Sequence, residues 1–142
     1  MLGDLTNKTI NVTFHISGAN SAFTYFGEGT PENSCGTPAN TRFFFQTSNA
    51  GGFDETHYWW SNLEGQVLAN GSGSLTATVE PAEWSDFNGH FGTDPNFAGF
   101  AAAASNVTLI GLSFGGGCFF ENGVGTTDGS GTFTLDSFSV SS

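Results

Sequence analysis

The chain has 142 residues, enough for one domain with one core, and it is rich in Gly (21) and Phe (16) but only 11% charged. Its net charge is −11, with Lys8 and Arg42 the only cations, which excludes nucleic-acid binding through phosphate neutralisation and disfavours anionic membrane surfaces. Such a chain suits neutral or cationic partners, uncharged sugars and metal ions among them.

Lys8 to Ser17 reads as a strand, because Ile10, Val12, Phe14 and Ile16 alternate with Asn11, Thr13, His15 and Ser17. Ala22 to Phe26 reads as a second strand, and Gly27 to Asn40 as a loop that carries the first cysteine. Thr41 to Thr47 has Phe on both faces and reads as a central strand. Thr56 to Ser61 follows, inside the most aromatic stretch of the chain, residues 53–62. Side chains alternate along a strand, so Tyr58 and Trp60 share one face and Trp59 takes the other. One set is expected in the core and the other exposed. Gln66 to Ala69 reads as a short strand, Asn70-Gly71-Ser72-Gly73 as a turn, and Ser74 to Val79 as a further alternating strand.

Asp94 as N-cap and Pro95 at the first helical position predict one helix over 95–105, with Phe97, Phe100, Ala101 and Ala104 at helical spacing. Val107 to Phe114 returns to strand, Gly115 to Gly117 breaks it, and Cys118 to Phe120 resumes it. Glu121 to Gly131 reads as a loop. Thr132 to Val140 is the last strand, and its alternation changes phase near Asp136, which predicts a bulge. About eight short strands and one helix predict an all-β, antiparallel β-sandwich in one domain, residues 1–142. No run approaches transmembrane length, so membrane insertion is not expected. Met1-Leu2-Gly3-Asp4 carries no basic or long apolar leader; a secreted chain with this start has had its leader removed.

The order of motifs in the second half is distinctive. A Val-bearing strand leads to Pro81-Ala82-Glu83-Trp84-Ser85, then to the helix from Phe97 to Val107, then to Ile110-Gly111-Leu112-Ser113-Phe114, and finally to Phe133-Thr134-Leu135-Asp136-Ser137-Phe138-Ser139-Val140. Over about residues 75–140 this resembles the jelly-roll, galactose-binding-like domains of carbohydrate-binding modules and laminin-B-like proteins. The resemblance implies a jelly-roll sandwich and a structural calcium ion, with Asp136 and Asp4 as the candidate ligands.

Several residues point to chemistry. Tyr58, Trp59 and Trp60 are candidates for a sugar-stacking platform, since aromatic faces bind the apolar faces of pyranose rings; the same residues also serve as core packing. Trp84, Asp86, Asn88 and His90 put an aromatic, a carboxylate, an amide and an imidazole close together on a loop, the mixture a sugar site needs. Trp84 has a competing role as a plug at the sandwich end. His15, His57 and His90 have no metal-site spacing. Cys35 and Cys118 read as one disulfide or as two buried thiols, and a Gly/Thr/Ser/Asn-rich, Lys-poor composition of extracellular type favours the disulfide and a secreted or cell-surface location. The sequence therefore predicts a secreted, non-catalytic module for a neutral glycan. The alternatives are a self-associating subunit of an extracellular coat or filament, and a small glycan-active hydrolase.

Overall fold

Alternation of β-branched and aromatic residues with Ser and Thr dominates this chain, and strands account for most of its regular structure. The computed structural model describes residues 2–63 and 65–142. The strands are β1 (Thr9–Ser17), β2 (Phe23–Tyr25), β3 (Asn40–Gln46), β4 (Tyr58–Ser61), β5 (Gln66–Val67), β6 (Gly71–Thr78), β7 (Trp84–Asp86), β8 (Leu109–Gly115), β9 (Val124–Thr126) and β10 (Thr132–Ser141), with one helix, α1 (Phe100–Ala104), before β8. All pairings between these strands are antiparallel.

Two sheets face each other. One is β10-β1-β6. In the other, β3 lies between β8 and β4, β4 pairs with β7, and β5 continues beside β3 at Asn40 and Thr41. β2 and β9 form a separate ribbon. Ile10, Val12, Phe14 and Ile16 of β1, with Leu75 and Ala77 of β6, bury against Phe43 and Phe45 of β3, Trp59 of β4 and Trp84 of β7. α1 closes this core with Phe100, Ala103 and Ala104. The expected antiparallel sandwich is therefore the fold.

The phase change in the last strand has its predicted cause. Thr13 lies opposite Ser137 while Phe14 lies opposite Leu135, so Asp136 is the extra residue of a bulge. Other local expectations are corrected. Asn70-Gly71-Ser72-Gly73 is not a turn: β6 begins at Gly71, and Gly73 lies directly opposite Phe14. A Cβ on Gly73 would sit 2.5 Å from the Phe14 ring, so this glycine lets the ring lie over the strand. The helix is also shorter than predicted. Asp94 accepts from the Asn96 N–H in a turn, and Gly99, at φ +144° and packed on Thr56, precedes the first helical residue, Phe100. Cys118 to Phe120 is a turn closed by a bridge between Gly116 and Phe119, and the expected 121–131 loop contains β9.

Near the β2–β9 ribbon, the Ser130 and Ser21 hydroxyls and the Ser130 N–H all donate to Asp128 Oδ1, at 2.5, 2.6 and 3.0 Å. These bonds, the Ser130 hydroxyl first, hold the Asp128 carboxyl well below the usual carboxylate range. The folded value lies under the unfolded value of about 3.9, so the tie stabilises the fold above that pH and is lost as pH falls through the folded value. Urea unfolding of Asp128→Asn should show a deficit against wild type at neutral pH that narrows below about pH 4. An unchanged deficit down to about pH 2 would contradict this linkage.

Candidate functional site

The aromatic strand β4 is covered on both faces. Trp59 has no exposed surface and meets Phe100 edge-on at 5.1 Å, while its indole N–H donates to the Thr56 carbonyl at 2.7 Å. Trp84 is also fully buried, and its indole N–H donates to the Thr78 carbonyl at 2.8 Å. Neither ring has a free face for a sugar, so both leave the set of candidate stacking residues. Tyr58 and Trp60 share the opposite face, as strand alternation requires, yet Trp60 is only 7% exposed. The expectation that one set would be exposed is corrected: a second aromatic layer lies on the outside of this sheet. Trp60 stacks near Phe44 at 5.9 Å and Tyr58 at 6.5 Å, and Phe87 leans over it at 6.2 Å. Phe53 extends the layer, 5.6 Å from Tyr58 and 5.2 Å from Phe87.

The segment after β8 folds back over the same face. The Trp60 indole N–H donates to Ser113 Oγ at 3.2 Å, and that hydroxyl donates to the Phe120 carbonyl at 2.6 Å. The Arg42 guanidinium lies 4.0 Å over the Phe120 ring, with Nε donating to Asn40 and Nη1 to the Ser61 carbonyl. Burial in this layer lowers its pKa from the ordinary arginine value. The Cys35–Cys118 disulfide is formed across a sequence separation of 83, with the two Cα atoms 5.0 Å apart. Buried Asn33 accepts from the Cys118 N–H and donates to the Phe26 and Gly116 carbonyls. The segment is thus anchored at Cys118 and at Phe120.

Between this segment and the loop after β7 lies a cleft of about 250 Å³. Trp60 contributes to its lining, with Asp86, Phe87, Asn88 and Gly89 on one side and Cys118, Phe119, Phe120 and Glu121 on the other. Phe87 is 48% and Phe119 45% exposed. Of the residues picked out in the sequence, Trp60, Asp86 and Asn88 line the cleft, and Tyr58 and His90 touch its lining residues.

Asp86 organises the loop. Its side chain is buried, and its Oδ1 accepts from the Asn88 and His90 N–H groups, each at 3.0 Å. His90 Nδ1 lies 3.3 Å from Asp86 Oδ2, and its ring is stacked flat on Phe97 at 3.4 Å. Asn88 Nδ2 donates to Glu55 Oε2. Asp86 is therefore held within its own loop, whereas Phe87 projects into solvent beside it. Phe87, Phe119 and Phe120 are not among the residues that the sequence singles out, and Glu121 stands there only as a carboxylate suited to a hard cation. The available signal was position: Phe87 lies outside every alternating run, where an apolar side chain has no strand face to enter, whereas Phe119 was hidden by the expected strand over Cys118 to Phe120, which is a turn.

Metal ligation divides differently from expectation. Asp136 is paired with His15 Nδ1 at 2.9 Å, and Asp4 accepts from the Thr6 N–H at 2.9 Å. Calcium takes about six to eight oxygen ligands. The contacts of Asp136 and Asp4 supply no such set, and neither belongs to a group of three ligating side chains among the described residues. The residues present do not fit the calcium site that the resemblance implies. Glu55, Asp86 and His90 do bring one donor atom each within 4.8 Å of one another; this mixed nitrogen and oxygen set suits a transition-metal cation better than calcium. The three histidines remain apart in function, His15 on Asp136, His57 on Asn49 and His90 on Asp86. No helix among the described residues is long and apolar enough to cross a membrane. No family model, curated protein or solved structure matches this chain.

Proposed function

We propose that the chain is a non-catalytic module that holds a neutral glycan in the cleft between the Phe87–Gly89 loop and the Cys118–Glu121 segment. The observation that carries this reading is the pair of half-exposed rings, Phe87 and Phe119, on opposite walls of a cleft that also presents Asn88 and Glu121. Flat apolar surfaces beside a few directional polar groups are what a sugar ring requires. Glycoside hydrolysis needs two carboxylates across a cleft, one of them able to act on the substrate. Asp86 is occupied by backbone N–H groups, which favours binding over catalysis. The net charge of −11 favours an uncharged ligand over an acidic polysaccharide. The disulfide and the Lys-poor composition suit a secreted or cell-surface setting.

Affinity electrophoresis through gels containing neutral polysaccharides, backed by a glycan array, tests the reading. Phe87→Ala and Phe119→Ala should each weaken retardation about tenfold, the equivalent of roughly 1.4 kcal/mol for one lost stacking surface. Absence of binding by the wild type to every neutral glycan offered would overturn the proposal.

A further inference from the structure

Among the described residues β10 is the edge of its sheet, and β1 is its one strand partner. Every residue of β10 except Phe133 is exposed. Its other side therefore presents a row of backbone N–H and C=O groups able to accept another strand. Natural edges of this length are usually blunted with Lys or Pro. β10 has neither, and Asp136 is its one charged residue in a chain of net charge −11.

Its side chains are sorted by face. Leu135, Phe138 and Val140 lie opposite Phe14, Val12 and Ile10, so they point to the core side. They are nevertheless 48%, 41% and 36% exposed. At the start of the strand Phe133 is covered, by Phe14 at 4.8 Å and by Phe114 at 5.1 Å. The opposite face carries hydroxyls, with Ser137 bonded to Thr13. Asp136, displaced by the bulge, reaches His15 on that same face.

From these features we propose that β10 pairs antiparallel with β10 of a second copy, about a two-fold axis between Asp136 and Ser137. The sequence of the strand is complementary to itself in this one register. Phe133 meets Val140 of the other copy, Leu135 meets Phe138, Thr134 meets Ser139, and Asp136 meets Ser137. Apolar residues oppose apolar ones on the core side, and hydroxyls oppose hydroxyls on the other, which is what a two-fold interface demands. A shift by one residue would set apolar side chains against hydroxyls on opposite faces, so the register is specified. The bulge does not break the pattern, because Asp136 and Ser137 both point to the hydroxyl face and sit together at the axis. His15 accompanies each Asp136 there, which tempers the approach of two carboxylates. The result is a continuous six-stranded sheet, β6-β1-β10 joined to its symmetry mate. One strand pair buries less than the roughly 800 Å² per partner of a standard interface, so the dimer is of the weak, concentration-dependent class. The glycan cleft lies on the outer face of the other sheet, so this inference stands apart from the glycan reading.

Sedimentation equilibrium from about 10 μM to 1 mM, the range where weak interfaces assemble, provides the test. The wild type should rise from the monomer mass toward twice that value, and Leu135→Lys should remain monomeric with an unchanged near-ultraviolet circular dichroism spectrum. A second pair of variants tests the register without touching the core side. Under mild oxidation Thr134→Cys/Ser139→Cys should cross-link into a covalent dimer, while Thr134→Cys alone should not, because the two Thr134 positions lie far apart across the axis. A wild type that stays monomeric throughout, a Leu135→Lys protein that dimerises equally well, or a single-cysteine variant that cross-links as fast as the double one would each overturn the proposal.

Discussion

Trp59→Ala and Trp84→Ala should each destabilise the protein by about 3–5 kcal/mol, the range for removing a large aromatic from a packed core. Both rings are fully buried between the sheets, Trp59 against Phe100 and Trp84 against Phe45 at 4.9 Å. Each also donates its indole N–H to a backbone carbonyl, Thr56 for Trp59 and Thr78 for Trp84. Truncation opens a cavity and removes the indole N–H from its carbonyl, which leaves the Thr56 carbonyl unpaired while the Thr78 carbonyl keeps the Glu80 N–H. Domains of this kind hold about 5–15 kcal/mol in total, so either variant approaches the limit of folding. Urea melts followed by circular dichroism measure the loss; a midpoint within error of wild type would show that the core closes around the gap. Loss of binding in Trp59→Ala would report unfolding, whereas Phe87→Ala and Phe119→Ala remove half-exposed rings and leave the core intact.

Removing the Cys35–Cys118 bond, by Cys118→Ser with Cys35→Ser or by reduction, should cost about 4–5 kcal/mol, because the bond closes a loop of 83 residues. In a chain of this size that corresponds to a fall in Tm of about 10–20 °C. The denaturant slope should rise as well, since an uncrosslinked unfolded chain exposes more surface. The effect on the cleft is local and separate. Phe119, Phe120 and Glu121 follow Cys118 directly, so freeing Cys118 releases one wall of the cleft while the Phe87 wall stays in place. Below the lowered Tm, the double serine variant should therefore remain folded and, under the glycan-binding function proposed above, bind glycan more weakly than wild type. Equal affinity in the two proteins would show that Asn33 and the Phe120–Ser113 contact hold the wall unaided.

What the sequence revealed and what it concealed divide along the range of the forces involved. β1 and the bulge at Asp136 were legible because alternation is a local property and a change of phase needs one extra residue. The Trp59 and Tyr58/Trp60 partition was legible for the same reason. The burial of Trp60 was not, because its cover comes from Phe87 and from the Ser113–Phe120 turn, residues far away in the chain. The helix start was misplaced because Asp94 and Pro95 carry a helix signal that Gly99 overrides: the chain takes a positive φ there, and Thr56 packs against it. Asn70 to Gly73 carried a turn signal, yet Gly73 serves to admit the Phe14 ring. Of the candidate site, the polar loop Asp86 to His90 was found by its mixture of residue types. The exposed phenylalanines were missed because sixteen of them in one chain invite assignment to the core as a group.

The position of Arg42 has a consequence for digestion. Proteases of trypsin type cut after Lys and Arg, and this chain offers them two bonds in 142 residues. One follows Arg42 in the middle of β3, a strand paired on both sides, with its guanidinium under the Phe120 ring. The other follows Lys8, whose N–H and carbonyl are both held, by Leu5 and Val79. Cleavage at either bond has to wait for the fold to open, so the rate of tryptic digestion reads out the opening of the sandwich itself.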